Sequence, residues 1–322
     1  MNAAAFLLLA AMLSAYVVLD GYDLGVGAIH LIFSRTDRGR SASFAAIAPF
    51  WNGNEVFLIA AGAVLFALFP RAYAAAFSGF YLPFILVLWL LMVRGMSIEL
   101  RGHFPSDMWR GFWDVAFCFS SALLALLFGV AIGNIVRGVP LDAAGYFAGT
   151  FGFLLNGYAL AVGALSLLAL GMHGAAFLWM RAEEGYSLRA QRIVRVLLAA
   201  VVLAFIGVTA ATLGMHRLPA QPALWIAPAF AVLSLVGLAF AKNGAQALTA
   251  SSVFLLALMA SAAQTIFPYL LPALSGTGGL NIYNAAPNAY SVGTAFTAAI
   301  IGFGAALVYG TVAALRMLRR VH

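Results

Sequence analysis

Residues 49–69 read PFWNGNEVFLIAAGAVLFALF, an apolar run that opens with one carboxylate, Glu55, and two amides, Asn52 and Asn54. In a water-soluble protein these side chains would simply face solvent. In this chain 64% of the residues are hydrophobic and only 8% are charged, whereas soluble domains are about 25% charged. The composition therefore predicts an integral membrane protein. In such a protein the position of the Glu55 carboxylate, within an apolar run, requires an explanation.

Apolar runs bounded by charged residues, Pro or Gly recur along the whole chain. A bilayer core about 30 Å thick needs roughly 20 apolar residues per helix. Backbone groups in lipid must pair within the protein, so long unbroken runs predict helices and not the strands of a barrel. The sequence predicts an all-α membrane protein, a single polytopic domain over residues 1–322 without linkers. The spans, about nine in number, are 3–33, 45–69, 72–93, 112–134, 146–180, 195–214, 223–241, 247–272 and 291–315.

The basic residues predict the orientation of the chain. Fourteen of the seventeen Lys and Arg residues fall on one side of the predicted spans, and such an excess marks the cytoplasmic side. We expect the first helix to be retained, since no basic segment or cleavage site precedes Asp20, with the N-terminus outside and the C-terminus inside. The net charge of +7 then reports orientation and not a nucleic-acid partner. The inner residues are Arg35, Arg38, Arg40, Arg94, Arg101, Arg110, Arg181, Arg189, Arg192, Arg195, Lys242, Arg316, Arg319 and Arg320, and the outer ones Arg71, Arg137 and Arg217.

Three acidic residues, Asp20, Asp23 and Glu55, fall inside predicted spans. A carboxylate at the centre of a membrane helix is costly unless paired, hydrated or protonated, and it indicates function. Glu55 and Asp20 lie at similar distances from the inner ends of adjacent spans, so they are expected to meet at one depth. Two alternatives stay open: the first helix ends near Leu19, or the acids pack against amides to set helix register. The stripe that carries the first two acids is Tyr16, Asp20, Asp23, Gly27 and His30.

Other polar residues lie near predicted helix ends. Arg94, Glu99 and Arg101 close the third span in RGMSIELR, where an arginine either extends to the interface or pairs with an acid deeper in the membrane. Asp114, in GFWDVAF, is expected at the interface.

Two histidines within spans, His30 and His173, are candidate axial haem ligands. For His173, in LGMHGAAF, a role in helix packing or hydrogen bonding is favoured over haem ligation. The single cysteine, Cys118, forms no intrachain disulfide, and no Cys-x-x-Cys-His motif occurs. The residues therefore predict no metal site and no confident cofactor site in this chain.

Several stretches together resemble one family. The quoted run 49–69, LDGYDLGVG, LVLWLLMVRGMSIELR, GVAIGNIVRGVPL, MHGAAFLWMR, FPYLLP and LNIYNAA are similar to subunit II of the cytochrome bd-type quinol oxidases, over nearly the whole chain. The resemblance implies nine helices, as two four-helix bundles and a peripheral helix, in the bacterial inner membrane. It implies a heterodimer with subunit I, which carries haems b and d and the quinol site; a small accessory subunit stays open.

In that family quinol is oxidised and dioxygen is reduced to water, with protons drawn from the cytoplasm. The resemblance implies that subunit II supports subunit I and contributes a proton route, with a bound quinone or lipid in some members. Asp20 and Asp23 match their family positions. The family commonly has Trp-Asp-Gly-Asn where this chain has Trp51 and Asn52, so Glu55, three residues on, is expected to take over the carboxylate. Asn284 also replaces an Asp found in some members.

Three functions remain in competition. The leading one is a haem-free oxidase subunit that stabilises its haem-bearing partner and conducts protons through Asp20, Asp23, Glu55 and Asn52. Trp51, Asn54, Arg94, Glu99 and Arg101 are expected to support that route. The second is a proton-coupled secondary transporter, which intramembrane acids and Gly/Pro-rich helices also suit, although no clear repeat relates the two halves. The third is an independent haem protein that uses His30 and His173.

Overall fold

A computed structural model describes residues 1–215, 225–275, 278–287 and 289–318, and within these ranges the chain is almost entirely helical. The predicted basic residues Arg217, Arg319 and Arg320 lie outside the described ranges. The elements are α1 (Asn2–Phe33), α2 (Asp37–Ile47), α3 (Trp51–Leu68), α4 (Pro70–Gly79), α5 (Tyr81–Leu100), α6 (Asp107–Arg137), α7 (Phe151–Leu154), α8 (Gly157–Arg181), α9 (Glu184–Gly214), α10 (Ile226–Ala239), α11 (Gly244–Ile266), β1 (Tyr269–Pro272), β2 (Gly279–Asn281) and α12 (Ala289–Leu318).

Eight helices of the described chain are long and apolar enough to cross a membrane: α1, α3, α5, α6, α8, α9, α11 and α12. The all-α membrane class is thereby confirmed. One predicted span, 223–241, corresponds to none of these eight helices. It contains the 14-residue helix α10, which is shorter than a typical crossing and follows the undescribed residues 216–224. The count of about nine crossings is therefore not confirmed.

The first helix continues through both of its acids. It runs without a break from Asn2 to Phe33, so the alternative in which it ends near Leu19 is wrong. Asp20 and Asp23 consequently lie on a continuous helix, fully buried within the protein.

Several predicted spans were drawn too long because hydropathy does not detect helix breaks. The span 45–69 is interrupted at Pro49, which has no backbone N–H to donate. Its first residues belong to α2, which begins at Asp37 and ends at Ile47, and α3 begins at Trp51. The span 72–93 divides into α4, with Pro70 in its first turn, and α5, which continues to Leu100. The span 146–180 divides where the side chain of Asn156 caps α8.

The span 247–272 also ends early. Helix α11 stops at Ile266, ahead of the cis peptide bond between Phe267 and Pro268. The chain then forms the antiparallel pair β1–β2. Conversely, the span 195–214 begins earlier than predicted, since α9 starts at Glu184.

The segments that connect the helices lie at two opposite ends of the bundle, as contacts between them show. At one end the side chain of Asn2 donates to Ile282 O at 2.8 Å, and Arg71 donates to Asn284 O at 2.9 Å. At the other end Arg38 pairs with Glu183 at 3.1 Å. Alternate connections therefore gather at opposite ends of the bundle, as the nine-span prediction requires; which end faces the cytoplasm stays a prediction.

Helix α1 lies at the centre of the helix packing, in contact with α3, α6, α8 and α11. Gly25 and Gly174 let α1 and α8 approach closely, since a Cβ on Gly25 would collide with the backbone of Leu170 and Gly174. Contacts link α1, α3, α5 and α6 into one group and α8, α9, α10 and α11 into another, while α12 packs on α3 and α1. The two groups also pack closely on each other, above all through α6 and α8. The expected division into two four-helix bundles and a peripheral helix stays a prediction.

Candidate functional site

The acids of α1 and α3 meet an arginine of α5 in the interior of the protein. We call Asp20, Asp23, Asn54, Glu55 and Arg94 the central cluster. The helical spacing of the first two residues places them on one face of α1, and that face is turned towards α3 and α5. Four of the five side chains are fully buried, while that of Glu55 remains 25% exposed.

Arg94 organises the acidic part of the central cluster. Its Nη2 donates to Asp20 Oδ1 at 2.6 Å and its Nη1 to Asp20 Oδ2 at 3.0 Å. The same Nη1 donates to Glu55 Oε1 at 3.2 Å. Two parallel bonds from guanidinium to carboxylate form the strongest and most directional ion pair that side chains make. The expected meeting of Asp20 and Glu55 at one depth is thus observed, with Arg94 between them.

Asp23 has a neutral partner. Asn54 Nδ2 lies 2.7 Å from Asp23 Oδ2, 2.6 Å from the Tyr22 hydroxyl and 3.1 Å from Leu19 O. An amide nitrogen carries two hydrogens, so these three contacts cannot all be hydrogen bonds at once. Asp23 Oδ1 and Asn54 Oδ1 are buried without a partner among the described residues. Buried polar groups normally have a hydrogen-bond partner. These two oxygen atoms are exceptions, and each can still accept a hydrogen bond.

Four of the residues predicted for the proton route and its support lie apart from this cluster: Asn52, Trp51 and Glu99, and Arg101, which pairs with Asp37 and Asp114. Asn52 is exposed on α3, two residues from the buried Asn54. Glu99 is exposed, and its carboxylate has no ion pair with any described residue. Trp51 is buried at the start of α3, where its ring packs against Gly95 of α5. Trp51 therefore supports the helix pair that carries Arg94 and Glu55, whereas Asn52 and Glu99 contribute no described contact to the central cluster.

A second ionic group, which we call the end cluster, joins α1, α2 and α6 to the end of α5. Its members are His30, Asp37, Arg40, Arg101, Arg110 and Asp114. Arg101 Nε donates to Asp114 Oδ1 at 2.5 Å, and Arg101 Nη2 donates to Asp37 at 2.7 Å. Arg40 donates to Asp114 at 3.1 Å, and Arg110 to Asp37 at 2.9 Å.

Burial lowers the pKa of Arg101, but its hydrogen bonds to Asp114 and Asp37 more than offset this and raise that pKa above its usual value. Arg101 is therefore a permanent cation of the end cluster. The side chain of Asp114 is buried within the protein, at 1% exposure, and its interfacial depth in the membrane stays a prediction.

Sequence reasoning missed most of the end cluster. Nothing in the sequence singled out Asp37, and Arg40 counted only among the basic residues of the inner side. One signal was available, since Asp114 lies in an apolar helix between Trp113 and Val115. A charge in such a segment needs a partner, but the sequence did not indicate which one.

Both candidate haem-ligating histidines have their ring nitrogens engaged. His30 Nδ1 lies 2.8 Å from Ser43 Oγ and its Nε2 2.9 Å from Asp114 Oδ1. His173 Nδ1 lies 2.8 Å from Ser251 Oγ and its Nε2 3.0 Å from Val18 O. An axial ligand needs a free ring nitrogen, so these surroundings do not fit a haem. They fit the helix-packing role that the sequence favoured for His173.

An apolar cavity of about 170 Å³ lies between α1 and the second helix group. Its walls include Tyr16, Phe128, Leu170, Phe205 and Leu255. A second apolar cavity, of about 180 Å³, shares Ile132, Val136, Met259 and Ala262 with the first. Among the described residues no group of three or more His, Cys, Asp or Glu side chains is arranged to hold a metal ion.

Comparison with known proteins gives consistent matches. The family described as cytochrome bd terminal oxidase subunit II matches residues 1–317. The probable cytochrome oxidase subunit 2 of Haemophilus influenzae is 31% identical over 84% of this chain and 81% of its own length. Cytochrome bd-I ubiquinol oxidase subunit 2 of Escherichia coli is 37% identical, over 62% of this chain and 54% of its own length. The chain therefore spans about half of that relative.

A chain in the structure of bd oxidase from Geobacillus thermodenitrificans has the same fold. It superimposes with a TM-score of 0.74, covers 98% of both chains and shares 18% sequence identity. At this identity the likeness concerns the fold alone.

Proposed function

This chain belongs to the family of cytochrome bd terminal oxidase subunit II, and on that premise we propose that it is the haem-free subunit of a quinol:oxygen oxidoreductase. It stabilises a haem-bearing subunit I and contributes a proton route from the cytoplasm to the site of oxygen reduction. Its relatives are subunits of cytochrome bd ubiquinol oxidase, so catalysis belongs to the complex and not to this chain alone. The orientation, with the N-terminus outside, is part of the proposal.

One observation carries the proton route: a single guanidinium meets a surplus of carboxyl groups. Arg94 pairs with Asp20 and Glu55, while Asp23 bonds to the neutral Asn54. If all three carboxyl groups were ionised, two negative charges would lack a partner cation in the interior of the bundle. Such charge is costly in a low-dielectric interior. The cluster therefore favours binding protons, and it releases them when a nearby group draws them away.

Glu55 connects the central cluster to the surface of the chain. It is the most exposed carboxyl of the three, and the next residue on α3, Val56, is exposed. On the adjacent helix α5, Trp89 and Met92 are exposed as well. An apolar face with one carboxylate at its edge suits docking of a membrane subunit. We place subunit I on this face, where Glu55 passes protons to it.

The haems of the complex belong, in this proposal, to subunit I. That assignment is supported by the engaged ring nitrogens of His30 and His173. The paired cavities suit the ring or tail of a quinone or a lipid, since their walls are mostly apolar, and the first also offers hydroxyl groups such as those of Tyr158 and Thr212. No observation favours the proton-coupled transporter over the oxidase subunit, and family membership favours the subunit.

The proposal is tested by purifying the complex through a tag on this chain after co-expression with its haem-bearing partner. We expect a coloured complex with quinol-dependent oxygen uptake, and a colourless product when this chain is expressed alone. A coloured lone chain would contradict the haem-free assignment. A lone, colourless chain that accumulates stably and never recovers a partner would favour the transporter.

A further inference from the structure

A groove with basic residues lies where the end of α1 meets the start of α9. Its walls are Ile29 and Ile32 of α1 with Leu188, Ile193, Val196 and Leu197 of α9, and Arg189 and Arg192 line it as well. Its volume is about 710 Å³. The groove is at the same end of the bundle as the end cluster, and is separate from both the central cluster and the apolar cavities.

The apolar part of this groove is unusually open. Ile32 is 64% exposed, Leu188 53% and Val196 71%. In a membrane protein such side chains contact lipid tails or a partner. From Gly185 to Val196 the groove follows α9 for about 16 Å at 1.5 Å per residue, the depth of a headgroup and the upper part of an acyl chain.

The charge of the groove is positive. Arg189 Nη2 donates to Ile32 O at 3.1 Å, which holds its guanidinium over the groove. Arg192 is one turn further along the same face of α9, exposed and without a salt bridge to any described residue. The nearby acid Glu183 is paired with Arg38 at 3.1 Å. Two arginines above apolar walls, at a helix pair near the predicted cytoplasmic surface, form the kind of basic pocket that binds acidic lipid headgroups.

We propose that this groove binds one anionic phospholipid, with its phosphate between Arg189 and Arg192 and an acyl chain along Ile193, Val196 and Leu197. The lipid bridges α1 and α9, which belong to different helix groups, and so ties the groups together at this end. The site is independent of the proton route, and it does not require the chain to be an oxidase subunit.

The matched control lies on the same helix. Arg195 is exposed and basic like Arg192, but it does not line the groove. Replacing Arg195 by Gln therefore removes one positive charge near the membrane surface without touching the site. If Arg189→Gln disturbs the fold by losing its bond to Ile32 O, the single variant Arg192→Gln still tests the site.

The experiment titrates phosphatidylglycerol or phosphatidylcholine into the delipidated complex in neutral detergent, and follows lipid binding by native mass spectrometry. We expect the wild-type chain to prefer phosphatidylglycerol. Arg189→Gln/Arg192→Gln should weaken binding of phosphatidylglycerol by about thirtyfold, while Arg195→Gln should leave it unchanged.

Three results would overturn the proposal. The first is equal binding of both lipids by the wild-type chain, which would mean that the groove recognises apolar tails only. The second is an equal loss of phosphatidylglycerol in the Arg195→Gln control, which would indicate general surface charge. The third is full displacement of the lipid by millimolar inorganic phosphate, which would make this an anion site without a lipid.

Discussion

The central cluster and the end cluster use the same residue types in opposite proportions. In the central cluster one arginine, Arg94, faces the three carboxyl groups of Asp20, Asp23 and Glu55. In the end cluster three arginines face two carboxylates, Asp37 and Asp114, which His30 also approaches. We therefore propose that the ratio of acids to bases, and not their mere presence, separates a cluster that can hold protons from one that joins helices.

The two clusters also differ in their access to water. Arg94 and Asp20 are fully buried, whereas in the end cluster Asp37 is 51% exposed and Arg110 34%. Solvent screens the attraction within an exposed ion pair, so the loss of one partner costs little. In a buried pair, the loss of one partner leaves the other charge uncompensated, which costs much more. Removing one charge should therefore have its largest effect in the central cluster.

The largest expected effect follows from Arg94→Gln. It leaves Asp20 buried without its cation, and breaking a buried ion pair costs about 3–5 kcal/mol. We expect the complex to lose haem or to denature at a clearly lower temperature, as read from the visible spectrum during heating. Normal haem content and an unchanged melting temperature would show that the pair contributes little, and the contrast between the clusters would fail.

A smaller effect is expected from Asp114→Asn in the end cluster. The amide keeps the shape of the side chain but weakens its bonds to Arg101 and Arg40. Although Asp114 is buried, Arg101 keeps its pair with the half-exposed Asp37, so we expect a cost of about 1–3 kcal/mol. Melting should shift downwards, while quinol-dependent oxygen uptake per haem stays near the wild-type rate. A large fall in that rate at normal stability would instead place Asp114 on the proton route.

The smallest effect is expected from Arg38→Gln, which removes the pair with Glu183. Both side chains are more than two-thirds exposed, at 79% and 71%, and exposed pairs typically contribute about 0–1 kcal/mol. The melting temperature should stay within error of the wild type. A shift in melting temperature as large as that of Asp114→Asn would mean that the exposure of an ion pair does not determine how much it stabilises the protein.

Much of the central cluster could be predicted from the sequence. The spacing of Asp20 and Asp23 placed both on one face of α1, and adjacent spans brought Glu55 to the same depth. For Arg94 two outcomes stayed open, a position at the interface or an inward pair, because a helix end in sequence does not reveal its depth. The observed continuation of α5 to Leu100 settles this, since it leaves Arg94 inside the bundle.

The remaining contacts depended on tertiary structure. Asn52 and Asn54 are residues of the same type, yet Asn52 is exposed and Asn54 is buried. Residues two apart point to different sides of a helix. The partners of Arg101 come from α2 and α6. Most of α2 lies in the segment between the predicted spans 3–33 and 45–69, where no helix was expected, so its residue Arg40 could not be assigned to any contact.

The central claim is that Glu55 carries protons, and it is tested most directly by Glu55→Gln. Glu99→Gln is the matched control, because Glu99 is an exposed acid on α5 without an ion pair among the described residues. The measurement is quinol-dependent oxygen uptake by the co-expressed complex at equal haem content. We predict a fall of about tenfold or more for Glu55→Gln, which corresponds to about 1.4 kcal/mol in the limiting barrier, and no change for Glu99→Gln. Unchanged uptake in Glu55→Gln, or a loss of haem in place of a loss of rate, would contradict the claim.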